Sequence, residues 1–179
     1  NHPKGVLGTH RNICASVVST EFVMARGLMR AGLRPPLPAL PPAVTLLPVP
    51  FFHGTGLHSN LVVQAWLGGT LVLMRRWDPE LALDLVERER ATGVTGVPTM
   101  VWELVNAESA PRRDLSSLRS VGGGGAAAPP EIARRVKALL PNCGTGTGYG
   151  MTEASSLVTS IGGADFVERP RSVGVPVPV

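Results

Sequence analysis

TLVLMRRWDPELALDLVERERATGVTGVP, residues 70–98, reads as a strand, a helix and a second strand. The apolar run at 70–74 is too short for a stable helix and suits a buried pleat. Asp78-Pro79-Glu80 then marks a helix start, because the aspartate can accept from free backbone amides and a first-turn proline has no amide to leave unpaired. Leu81, Leu85 and Val86 form the expected buried stripe of that helix. Residues 93–97 return to strand, and 99–106 to helix.

Working outward, the alternation continues in both directions. Residues 118–121 read as strand, Pro129-Pro130-Glu131 opens a helix with Ile132, Val136, Leu139 and Leu140 inward, and 143–147 is strand again. Upstream, a helix starts after Thr9, with Ile13, Val17, Met24 and Leu28 on one face and Gly32 as its stop. Residues 34–42 hold five prolines and read as a surface loop. A strand at 43–47 leads to His53-Gly54, which opens a helix through Trp66 that Gly68-Gly69 closes. Apolar strands alternating with helices imply an α/β fold: a mostly parallel sheet flanked by helices on both faces.

That order brings chemistry together. His53, the run Gly122-Gly123-Gly124-Gly125 and Gly148 each follow a strand, so in a parallel sheet all three reach the edge where such folds bind ligands. Gly148-Tyr149-Gly150-Met151-Thr152-Glu153 reads as a tight turn carrying an aromatic face, a hydroxyl and a carboxylate, the combination a nucleotide needs. Thr152 can donate to a phosphate, and Glu153 can hold a hard cation through oxygen. The string at 144–148 is not a dinucleotide fingerprint, because no third glycine falls at the Gly-x-Gly-x-x-Gly position.

Composition narrows the classes. With 179 residues, 44% hydrophobic content and mean hydropathy +0.17, the chain suits one globular domain. The net charge of +4 comes almost wholly from arginine, with Lys4 and Lys137 the only lysines. Arginine pairs at 75–76, 112–113 and 134–135 lie in separate segments with few aromatics between them, which argues against a nucleic-acid platform. Cys14 and Cys143 show neither metal nor redox spacing, and no secretory segment opens the sequence, so a reduced, cytoplasmic setting is expected. His53 and His58 lack the spacing of a zinc site. The longest apolar run, 61–74, is broken by Gln64 and Gly68-Gly69 and is too short to cross a bilayer. Pro35-Pro36-Leu37-Pro38 fits a Pro-x-x-Pro pattern, but the segment reads as a loop.

Four motifs in order carry a resemblance: Pro3-Lys4-Gly5-Val6, Phe51-Phe52-His53-Gly54, Gly122-Gly123-Gly124-Gly125-Ala126, and the six residues from Gly148. With Val97-Pro98-Thr99 and Ser172-Val173-Gly174-Val175-Pro176, the sequence resembles the adenylate-forming superfamily of acyl-CoA and aryl-CoA synthetases, luciferases and peptide-synthetase adenylation domains. The resemblance implies that Tyr149 packs on adenine, Thr152 contacts phosphate and Glu153 binds magnesium. It implies that Gly124, Gly125 and Ala126 line the adenine and acyl pocket, and that Gly148, Gly150 and Met151 lie along the nucleotide. His53 would shape the acyl-adenylate site, and Lys4 would end the family's phosphate loop.

The implied cofactors are ATP and Mg2+, with CoA as co-substrate, and the implied partner is a small carboxylic acid. Residues 1–179 then correspond to part of an AMP-binding domain, the large domain of such an enzyme. Most of the phosphate loop, and the ribose-binding, hinge and C-terminal lid regions, are expected to lie outside them. The six-residue motif has methionine where a peptide synthetase would have proline, and no aspartate stands near Phe51-Phe52, so a fatty or similarly apolar acid is expected. An aryl-acid CoA ligase or a ligase loading a carrier protein keeps every motif. A noncatalytic nucleotide-binding or scaffolding unit is the alternative from another class. Sheet surface left uncovered in this chain alone would favour self-association.

Overall fold

The computed structural model describes residues 2, 4–37 and 40–178. Pro3 of the first motif and Pro38 of the Pro-x-x-Pro pattern lie outside the described residues, as do Asn1, Ala39 and Val179. The chain begins with α1 (His10–Arg30), capped by Thr9, whose hydroxyl accepts from the Asn12 amide at 3.2 Å while Asn12 Oδ1 accepts from the Thr9 amide at 3.0 Å. β1 (Val44–Leu47) follows the proline-rich segment. Then come α2 (Gly54–Gly56), a π-helical turn (Leu57–Val62) and α3 (Val63–Leu67), which ends on left-handed Gly68.

From there strand and helix alternate as expected. β2 (Thr70–Leu73), α4 (Pro79–Arg88), β3 (Gly93–Gly96), α5 (Pro98–Asn106), β4 (Ser120–Gly124), α6 (Pro130–Leu139) and β5 (Gly144–Met151) run in turn. A short 3-10 turn (Thr152–Ala154), β6 (Ser156–Gly162), α7 (Ala164–Glu168) and β7 (Val175–Pro176) complete the order. The seven strands lie in the order β2-β1-β3-β4-β5-β6-β7, parallel from β2 to β5 and antiparallel at β6 and β7. The motif at 172–176 supplies β7, and just before it a Cβ on Gly174 would meet the Ser160 carbonyl oxygen at 2.0 Å.

Side-chain alternation decides which face does what. Leu46, Val94 and Val121 stand in register across β1, β3 and β4 and point into the main core with Leu83, Val86, Val101, Leu104, Ile132 and Val136 of α4, α5 and α6. The opposite face carries α3, where Gln64 donates to Thr45 Oγ1 at 3.0 Å, and α1, where Arg26 donates to the Ser160 carbonyl at 2.8 Å. Both faces are thus flanked by helices. From β1 the chain moves outward to β2, then crosses back to β3 on the other side. The strand order therefore reverses between β1 and β3, where sheets of this kind open a crevice at the carboxyl ends.

Four expectations are corrected. Leu81 is 47% exposed; the Asp78 carboxylate accepts from its amide at 2.9 Å, and the phase so set turns Ala82, Leu85 and Val86 inward. Met24 is 40% exposed, because α1 is oriented by polar anchors: Arg26 on Ser160, and the Ser19 hydroxyl donating to the Pro178 carbonyl at 3.1 Å. The glycine run is strand through Gly124, extending β4 beyond the apolar residues that announced it. The six-residue motif is likewise no tight turn: it lies on β5 as far as Met151, with a bulge between Tyr149 and Gly150.

Below the sheet, Arg113 pairs with both Asp84 and Glu87, and Glu80 accepts from the amide and hydroxyl of Ser109, tying the α5–β4 connection to α4. Hydrogen bonds from Ser116 and the Arg90 guanidinium hold the Asp114 carboxyl below its ordinary 3.8, at about 2. Ser109 lowers Glu80, and the Asp114 amide with Arg113 lowers Glu87. Depressed carboxylates contribute stability above their ordinary values and lose it as pH falls through the folded ones. The unfolding midpoint is therefore expected to drop between pH 4 and pH 2, and Asp114→Asn to flatten part of that slope in a pH series of urea melts.

Candidate functional site

An open groove of about 790 Å3 lies over the face of β3, β4 and β5 that the main core does not use. Its floor is nearly bare backbone. Gly122 stands in register with Gly146, and Gly124 with Gly148. A Cβ on Gly124 would sit 2.5 Å from the Gly148 carbonyl oxygen, so this pair of strands admits no side chain there. A flat surface of peptide planes is suited to a planar ring or an extended chain laid upon it.

His53, Gly54, Thr55 and Ser59 form one wall, and Thr20 and Val23 of α1 contribute to another. His53 caps α2: its Nδ1 accepts from the Thr55 amide at 3.2 Å. An acceptor Nδ1 places the proton of the neutral ring on Nε2, which becomes the donor. Gly56 is pressed against the preceding loop, and a Cβ there would meet the Pro50 carbonyl oxygen at 2.2 Å. His53 is thereby held on a short, crowded bend at the carboxyl end of β1.

The rim comes from the end of β5. Tyr149 is 48% exposed and Met151 43%, and Gly150 is squeezed so that a Cβ would lie 2.0 Å from the Ser156 carbonyl oxygen. The bulge before Gly150 and the 3-10 turn after Met151 carry Thr152 and Glu153 to the groove. Glu153 is exposed, and no hydrogen bond or ion pair engages its carboxylate among the described residues. Two left-handed residues close the turn, Ser155 at φ 51° and Ser156 at φ 105°, both buried. Such dihedrals cost about 1–3 kcal/mol each and persist only where the surroundings impose them.

The structure thus gathers His53, Gly124, Gly125, Gly148, Tyr149, Gly150, Met151, Thr152 and Glu153 around one groove. Ala126 is exposed just beyond it, and Lys4, in the irregular segment before α1, is not among the residues that line it. Ser59, Ser156, Thr20 and Val23 are groove residues that no motif announced. The serine and threonine stripe of α1, Ser16, Ser19 and Thr20, was a visible signal that this helix faces something polar.

Among the described residues, no three His, Cys, Asp or Glu side chains come together as a metal cage. The donor set of Glu153 and Thr152 fits magnesium all the same, because Mg2+ commonly takes one or two carboxylates and completes its shell with substrate phosphates and water. Calcium or zinc would ask for more protein ligands. Neither cysteine joins the groove: Cys14 is exposed, and burial pushes the Cys143 thiol up to about 11. No described helix is long and apolar enough to cross a membrane.

A parallel sheet with a glycine floor, an exposed phenol and oxygen donors at its carboxyl edge defines an α/β ligand-binding domain of the adenylate-forming kind. The family model for AMP-binding enzymes matches residues 2–179, and the chain belongs to that family. It is 40% identical over 174 residues to 4-coumarate--CoA ligase-like 5 of Oryza sativa, covering 96% of this chain and 31% of that protein. Among solved structures it is similar to an amide bond synthetase from Marinactinospora thermotolerans, with TM-score 0.76 and 28% identity over 99% of this chain and 33% of that one. It is similar also to o-succinylbenzoate CoA synthetase from Bacillus subtilis in complex with an acyl-adenylate, with TM-score 0.76 and 26% identity over 99% of this chain and 33% of that one. The chain spans about a third of the length of these relatives.

Proposed function

We infer that the protein to which this chain belongs activates a carboxylic acid with ATP and transfers the acyl group to the thiol of coenzyme A. The observation that carries this reading is the meeting of His53, the glycine floor, Tyr149 and the Thr152–Glu153 pair around one groove. A carboxylate oxygen attacks the α-phosphorus, the bond to pyrophosphate breaks, and an acyl-adenylate forms. The thiolate then attacks the acyl carbon, and AMP leaves with the former carboxylate oxygen.

Each residue has a task in that sequence. Tyr149 offers its ring to adenine across the bare peptide planes of Gly124 and Gly148. The Thr152 hydroxyl donates to a phosphate oxygen, and Glu153 would hold the cation. Bound magnesium would neutralise charge developing on the phosphate oxygens. His53 Nε2 donates toward the carboxylate being activated and fixes its approach, while Gly54 and Thr55, which line the groove beside it, leave room for the rest of the acid. Donors fixed before reaction act at full strength because they need not reorganise.

The acid we favour is aromatic, supported by the 4-coumarate ligases among the relatives, one of them 37% identical over 157 residues. A flat backbone floor suits a conjugated ring. A fatty acid, the expectation from the apolar sequence, is the second reading. The complete enzyme should be given ATP, CoA and a panel of hydroxycinnamic, benzoic and fatty acids, with AMP release followed. Release with hydroxycinnamic acids and CoA supports the aryl reading; release confined to fatty acids replaces it. An amine acting in place of CoA would overturn the acceptor.

A further inference from the structure

The π-helical turn and the strained serines meet at a point that the chemistry above does not use. Ser59 Oγ and Ser156 Oγ share a hydrogen bond at 2.6 Å. Beside it, Gly54 packs on Ser156, where a Cβ would lie 3.7 Å from the serine Cβ. This is a bridge between two separate parts of the site. Ser59 lies six residues beyond His53 on the same helical run, and Ser156 lies three beyond Glu153, directly after the turn that presents it.

The local backbone on both sides is unusual in a way that makes this bridge possible. Ser59 falls inside the π-helical turn Leu57–Val62, where i→i+5 pairing changes the direction of side chains relative to an α-helix. Asn60, buried in the same turn, donates to the Thr55 carbonyl at 2.8 Å and braces it. On the other side, the Ser155 amide donates to the Thr152 carbonyl at 3.0 Å and closes the 3-10 turn. Ser155 and Ser156 then adopt positive φ, a conformation that no side-chain preference favours and that contacts from outside must hold. Gly150 presses on the Ser156 carbonyl from β5, while Ser59 and Gly54 meet the residue from α2 and the π-helical turn.

We propose that Ser59 is a positioning residue. Through Ser156 it sets where the Thr152–Glu153 turn stands relative to the helix that carries His53, and so where the Glu153 carboxylate would be presented to a bound cation. The proposal rests on the adenylation reading above. Its effect on Glu153 passes through the turn. Loss of the hydroxyl leaves Ser156 without its partner on the π-helical turn and lets the 152–156 turn relax from the strained pair.

The test uses the complete enzyme with Ser59→Ala and Ser59→Thr. In Ser59→Ala, amide hydrogen exchange of peptides covering 150–156 should quicken about tenfold, with exchange over α4 and β3 unchanged. In pyrophosphate exchange, the magnesium concentration at half-saturation should rise about tenfold, as when a residue orienting a metal ligand is lost. Ser59→Thr, which keeps the hydroxyl, should restore both readouts. Unchanged amide exchange would overturn the tether. Faster exchange with an unmoved magnesium requirement would overturn its role toward Glu153, as would a uniform loss of protection across the domain. A wild-type enzyme that exchanges no pyrophosphate would overturn the adenylation reading instead, while the amide readout would still decide the tether.

Discussion

Glu153→Ala in the complete enzyme is expected to lower the rate of acid-dependent pyrophosphate exchange about a hundredfold, the scale of losing one preorganised electrostatic group. Its thermal midpoint should not move. The two halves of this result depend on the same observation: Glu153 is exposed and engages no partner among the described residues, so nothing in the fold relies on its carboxylate. Exposed substitutions of this kind change stability by about 0.5 kcal/mol or less. A carboxylate held at a groove by a bulge, a 3-10 turn and two strained serines, yet used by no neighbour, is a group kept for something that arrives. Glu153→Asp keeps the charge but shortens the reach, and should recover part of the rate at raised magnesium. Full exchange activity in Glu153→Ala would remove the metal role; a parallel fall in rate and midpoint would mean that the residue is structural.

The parts of this site differed in how plainly they could be read beforehand. The sheet was legible because parallel strands covered on both faces are short apolar runs, and because Asp78-Pro79 marks a helix start through its own capping geometry. The convergence of His53, the glycine run and Gly148 followed from strand direction alone. The glycine run misled as to structure: residues without side chains give no periodicity, so Gly122 to Gly124 looked like connection although they pair in register with β5. The same blindness hid the end of β5, whose alternating glycines read as a turn. β6 was invisible for another reason. Its sequence, SLVTSIG, is mixed in polarity, and it forms because the bulged end of β5 offers an antiparallel partner. The π-helical turn and the Ser59–Ser156 bridge are tertiary products, since the two serines are separated by ninety-seven positions.

Those same features explain why the site needs so few chemically active residues. The floor contributes closeness, with no side chain between ligand and backbone, and the strained turn contributes placement. Function at the rim then comes down to a ring, a hydroxyl, a carboxylate and an imidazole whose Nδ1 is already committed to the Thr55 amide. Each can be removed with little disturbance to the core, which is packed on the opposite face by α4, α5 and α6. Rim substitutions should therefore separate by the kinetic constant they alter.

Tyr149→Ala is the sharpest case. Its ring is 48% exposed at the edge of the glycine floor, so truncation opens no cavity, and the main core does not include it. Stacking of an aromatic side chain on a base is worth about 1–3 kcal/mol by alanine substitution, which corresponds to roughly 5- to 150-fold in affinity. The KM for ATP should rise within that range, with the KM for the acid nearly unchanged. Tyr149→Phe separates ring from hydroxyl, because the phenol has no hydrogen-bond partner among the described residues. If stacking is the contribution, the phenylalanine variant keeps a near wild-type KM for ATP; if it behaves like alanine, the hydroxyl is the group that binds the nucleotide. An unchanged KM for ATP in Tyr149→Ala would take adenine away from this ring and with it the placement of the nucleotide over Gly124 and Gly148.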